Sequence, residues 1–206
     1  MVYSAFGFTV KSGWAAAVVV DGSADSPAVV ASRRIELSDP SDGHARQPYH
    51  AAAGTAREPG PQLDKLIAAV ETFGRQSVAA FIREQEKTGR RFDGAGIVVG
   101  SLIDPAHIAN DHIRIHALEG QLFRGIVKAA TERRHLASFV WRERDLYGFA
   151  STSLKRSESD VRQTLNGLAR SVGGPWRAEQ KAAALAAWLV TANRAGSNRG
   201  GSTILK

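Results

Sequence analysis

The chain has 206 residues, 43% hydrophobic and 23% charged, which supports one soluble globular domain with a substantial core. It contains no cysteine, and this excludes a disulfide framework, a thiolate nucleophile and a cysteine-bound metal. Its formal net charge of +7 points to a polyanionic partner, and no apolar run reaches the ~18 residues that span a bilayer.

The positive charge is scattered in arginine pairs such as Arg33-Arg34, Arg90-Arg91 and Arg133-Arg134. Forked guanidinium donors suit phosphate, although an Ala-, Gly- and Arg-rich composition produces the same bias. Residues 3–20 are apolar but interrupted by Lys11, Ser12 and Gly13, and they lack a basic leader. They read as strands rather than a signal peptide, with a cytoplasmic location and no membrane contact as the expectation.

In chain order, residues 2–10 form a first strand, Lys11-Ser12-Gly13 a turn, residues 14–20 a second strand and residues 27–37 a third. Connections this short make the three antiparallel. Residues 38–60 carry three prolines and three glycines and read as a long loop or insert, which in a compact domain is functional or disordered. Pro61 opens a helix that Thr88-Gly89 stops. Residues 94–101 are apolar on both faces, as expected of a strand parallel to a neighbour. Asp104-Pro105 precedes a helix to about Arg134, and residues 136–141 form a fifth strand. Ser157 and Asp160 resemble a capping box opening a helix through Val172, and Pro175 starts an alanine-rich last helix to about Thr191. The expectation is a single domain over residues 1–193 with a flexible tail over 194–206.

The order βββ-α-β-α-β-α-α resembles that of the ribonuclease H-like superfamily. Within it, Lys11-Ser12-Gly13-Trp14-Ala15 resembles the first hairpin of the Holliday-junction resolvase branch, and residues 179–187 resemble its alanine-rich closing helix. The stretches His112-x-Arg114-x-His116-x-x-Glu119 and Pro175-Trp176-Arg177-x-Glu179-x-Lys181 also resemble those of uncharacterised bacterial proteins. The resemblance implies a five-stranded mixed sheet with helices on both faces, a nucleic-acid partner and a homodimer. It also implies two divalent metals held by carboxylates from the first strand, the end of the fourth and the last helix. Here the first acidic residue is Asp21. Thr9, or Lys11 in a shifted register, stands at the first of those places, Gly100 and Ser101 at the second, and Glu179 alone is available in the helix. A lysine would repel hard cations, so a conventional two-metal nuclease is not expected.

Other residues carry the remaining possibilities for chemistry. His112, His116 and Glu119 lie at i, i+4 and i+7, one stripe at the margin of an apolar helix face. Three readings stay open for them: structural capping with Glu119 paired to Arg114 or Arg124, a general base oriented by Glu119, or a metal site using all three. Lys11 and Ser12 can hold a phosphate at the hairpin turn. In the long loop, Arg46 can clamp a phosphate while Tyr49 and His50 complete a pocket, the tyrosine stacking on a base. Arg124 adds a cation on the histidine helix, and Arg177 with Glu179 sits at the start of the last one. The leading expectation is a ribonuclease H-like domain that binds nucleic acid or a phosphorylated ligand. A hydrolase with a non-standard His/Glu site, with or without a divalent metal, and a protein-interaction module are the alternatives.

Overall fold

The computed structural model describes residues 3–52, 55–171 and 173–197. Three antiparallel strands, β1 (Tyr3–Lys11), β2 (Trp14–Gly22) and β3 (Pro27–Glu36), are followed by a two-stranded ribbon, β4 (His50–Ala52) and β5 (Thr55–Ala56). Helix α1 (Pro61–Glu86), strand β6 (Arg91–Val99), helix α2 (Asp111–Glu132) and strand β7 (Ala137–Arg142) come next. Helices α3 (Leu146–Leu154), α4 (Glu158–Gly167) and α5 (Ala178–Ser197) complete the order. The main sheet runs β3-β2-β1-β6-β7, with β6 parallel to both β1 and β7, so the expected five-stranded mixed sheet is present.

Period-2 alternation divides the core into two layers. Phe6, Phe8 and Val10 of β1, with Ala95, Ile97 and Val99 of β6, pack under α1 and α2. Ala5, Val18 and Val98 face the opposite way and pack under α3, α4 and α5. On that second face α5 lies almost on the backbone of the sheet. A Cβ on Gly7 would sit 1.8 Å from the carbonyl oxygen of Ala183, and one on Gly96 would sit 2.7 Å from that of Ala186. Glycine on the strands and alanine on the helix are therefore a matched pair, which is why the closing helix is so rich in alanine.

The β1–β2 turn needs Gly13, whose φ is 79°. Its carbonyl accepts from the backbone of Leu37 at 2.8 Å and of Ser38 at 3.2 Å, pinning the hairpin tip to the start of the long loop. That loop is held by burial of Ala45 and Pro48 and by Tyr49 against the α1/α2 core.

Several boundaries differ from expectation. Helix α3 is additional; Leu146, Ala150 and Leu154 give it one buried face at i, i+4 and i+8. The helix opened by Ser157 ends at Gly167 and passes into a 3-10 turn, while Val172 lies outside the described residues. Ser157 does cap it, accepting from the Asp160 N–H at 3.1 Å. Helix α5 begins at Ala178 rather than Pro175, because the Trp176 indole donates to the Leu165 carbonyl at 2.8 Å and holds its segment outside the helix. The backbone stays helical to Ser197, four residues into the expected tail, of which 198–206 lie outside the described residues.

Candidate functional site

A cleft opens at the carboxyl ends of parallel strands β1 and β6, where α/β sheets place their ligands. It has two adjoining recesses that share Lys11, Ser12 and His116. One, of about 250 Å³, is floored by Val10, Val99, Gly100 and Phe123. The other, of about 520 Å³, is bounded by Trp14, Arg46, Gln47 and Glu179. Residues from the first hairpin, the long loop, α2 and α5 thus meet at one place.

Thr9 is buried, and its hydroxyl donates to the Glu179 carbonyl at 2.8 Å, tying β1 to the first turn of α5. Lys11 ends β1, and its ammonium donates to Glu143 Oε2 at 2.9 Å, in the turn after β7. Both groups are about one-third exposed, so the pair is weak and open to competition from a ligand anion. Arg46 is exposed with its stem against Gly13. Arg124 is turned to the loop after β6, where it donates to the Ser101 carbonyl at 3.3 Å. The Arg177 side chain is exposed, while its backbone N–H donates to Gln180 Oε1 at 3.0 Å.

Beside the cleft stands a group of imidazoles. Asn110 caps α2, its side chain accepting from the Ile113 N–H, so His112 and His116 occupy the first two turns. Their Nε2 atoms are 3.1 Å apart. The third member comes from the loop: His50, at the start of β4, packs its ring 4.9 Å from that of His116 and 6.2 Å from that of His112, centre to centre. Beneath them Glu119 is fully buried, with Oε1 at 2.7 Å from His50 Nδ1 and Oε2 at 3.8 Å from His116 Nδ1. Burial pushes the Glu119 carboxyl above its ordinary range, an effect that His50 and, less strongly, Gln47 oppose. Burial, then the neighbouring His50 and His112, push the His116 ring down.

Two sequence expectations change here. Glu119 pairs with neither Arg114, which holds Asp111, nor Arg124. It stands behind the imidazoles, and the third ligand-capable group beside His112 and His116 is His50. Tyr49 does not present its ring for stacking on a base; it is packed against the core, and burial raises its phenol pKa. The signal for His50 was weak, since nothing in a loop's sequence says which helix it will fold against.

The chain aligns with Thermus thermophilus RuvC at a TM-score of 0.54 and 12% identity, over 95% of this chain and 97% of that one. This chain is ribonuclease H-like in fold. The T. thermophilus RuvC structure in complex with a Holliday junction substrate aligns at a TM-score of 0.52 and 8% identity, over 91% of each chain. The yeast mitochondrial Holliday junction resolvase Ydc2 aligns at 0.48 and 10% identity, over 95% of this chain and 81% of that one. No protein-family model and no curated protein matches the sequence. On this sheet Thr9 pairs with Val98 near the end of β1, Gly100 and Ser101 follow the end of β6 in the floor of the cleft, and Glu179 lines its larger recess. No helix among the described residues is long and apolar enough to cross a membrane.

Proposed function

We propose that this chain binds nucleic acid through the cleft at the ends of β1 and β6, on a resolvase-like scaffold without the usual acid set. The observation that carries this reading is Lys11. It is a cation at the end of β1, two residues past Thr9, and it faces a cleft rimmed by Arg46. A lysine and an arginine there neutralise phosphate directly instead of through a metal ion. Arg177 is exposed two residues before Glu179 of the cleft, and Arg124 supports the floor through Ser101. The T. thermophilus RuvC complex shows that a protein of this fold, aligned over nearly its whole length, takes a junction substrate. A cytoplasmic homodimer belongs to the same reading.

The test is fluorescence anisotropy with labelled single-stranded, duplex and four-way-junction DNA and with RNA, over a salt series. Affinity should fall steeply as salt rises, and Lys11→Ala or Arg46→Ala should each lower the log–log slope by about one. Absence of salt-dependent binding to all four probes overturns the reading. A second reading, hydrolysis at the same cleft, draws support from the imidazoles at its rim. It predicts phosphoester cleavage that His116→Ala removes.

A further inference from the structure

We propose that His50, His112 and His116 form a binding site for a transition-metal ion of zinc type, with Glu119 orienting the ligands. The three residues offer nitrogens that all lie within 4.8 Å of one another. Two nitrogens each ~2.0–2.1 Å from a tetrahedral ion are roughly 3.4 Å apart. The 3.1 Å between Nε2 of His112 and Nε2 of His116 is already close to that spacing, and small ring rotations bring in His50.

The carboxylate behind the rings makes this more than a chance gathering of histidines. Metal-bound imidazoles characteristically present their second nitrogen to a carboxylate, which fixes the tautomer and raises ligand basicity. Glu119 does this for His50 at 2.7 Å and approaches Nδ1 of His116 at 3.8 Å, leaving Nε2 of both rings for an ion. Its Oε2 is buried with no hydrogen-bond partner. Such an orphan is costly in a neutral cluster and is satisfied once a bound cation polarises the adjoining N–H.

Donor chemistry selects the ion. Three neutral imidazoles suit zinc, copper, nickel or iron, whereas magnesium and calcium require oxygen. The site therefore differs in kind from a carboxylate-held pair of hard cations. Three protein ligands leave one tetrahedral position open, as in catalytic rather than structural zinc sites. Because His116 also lines both recesses of the cleft, that position is available to water or to an oxygen of a bound phosphoester. The metal site stands independently of whether the cleft binds nucleic acid.

The experiment is titration of chelator-treated full-length protein with zinc by calorimetry, and with cobalt(II) by visible absorption. Wild type should bind one ion per chain and show the intense bands of low-symmetry tetrahedral cobalt. Glu119→Gln should weaken zinc binding by about 10–100-fold, and His112→Ala by more. His112 is exposed on the first turn of α2, so its removal leaves the fold intact, as circular dichroism will check. His135→Asn is the control; this residue lies past the other end of α2 at φ 57°, a conformation asparagine tolerates, and should bind zinc as wild type does. Failure to bind zinc, or binding indifferent to both His112→Ala and His50→Ala, overturns the proposal.

Discussion

The carboxylate of Glu119, wholly buried on α2, meets Nδ1 of His50 at 2.7 Å and joins helix to loop across 69 positions of sequence. It is a polar bond that holds the start of the β4–β5 ribbon against the helix carrying His112 and His116. Burial of this carboxyl is unfavourable once it is ionised, and His50, His116, Gln47 and Tyr49 are the polar groups around it.

A pH dependence follows. With its folded-state pKa raised above the ordinary 4.5, Glu119 favours the fold fully only below that value. Above it the unfolded carboxyl ionises first, and the contribution is lost as pH rises through the folded value. Glutamine cannot ionise. In chelator, Glu119→Gln should match wild type in thermal midpoint near about pH 4 and exceed it increasingly toward neutrality. Parallel midpoint curves across that range would contradict a buried, raised carboxyl.

The Lys11–Glu143 pair makes opposite predictions for its two members. Lys11→Ala removes a phosphate contact and should weaken oligonucleotide binding. Glu143→Gln releases the ammonium and should tighten binding a few-fold, most at low salt, where charge interactions are least screened. Anisotropy on both variants checks the signs, and equal weakening by both would show that the pair acts only as a strut.

Close packing of α5 predicts a large stability effect from a small change. Gly7→Ala puts a methyl into the Ala183 carbonyl, so the helix must lift. Urea denaturation should show a loss of roughly 3 kcal/mol or more, the upper end of overpacking costs. Gly43→Ala, in open space on the loop, should change stability little.

Tyr49 separates packing from recognition. Its half-buried ring supports the loop, so Tyr49→Ala should cost roughly 2 kcal/mol, below the range for fully buried aromatics. Tyr49→Phe keeps the ring and should leave oligonucleotide affinity unchanged. A ten-fold loss of affinity in the phenylalanine variant would place the hydroxyl in the binding surface.

Much of this architecture was legible along the chain. Short apolar runs rich in aromatic and β-branched residues mark β1 and β2, unbroken apolarity marks β6 as interior, and Pro61 and Ser157 mark helix starts. Each signal is local, carried by side-chain period or by cap chemistry. Helix α3 is not legible in this way, although Leu146, Ala150 and Leu154 spell its buried face, because nine residues give a period little room to show. The sequence period runs past the end of α4 because the 3-10 turn after Gly167 continues the same apolar rhythm with Leu168.

The site divides along the same line. That His112, His116 and Glu119 share one stripe is helical geometry, and sequence alone determined it. It also determined that Thr9, Lys11, Gly100 and Ser101 supply no carboxylate at the strand ends. Only the tertiary structure decided that Glu119 is buried behind the imidazoles, that His50 completes their group and that Tyr49 turns inward. Those outcomes depend on where a loop of more than ten residues lies on a distant helix. The loop's path is set by burial of Ala45 and Pro48, by packing of Tyr49 and by hydrogen bonds such as that of His50 with Glu119, long-range interactions that local sequence period does not encode.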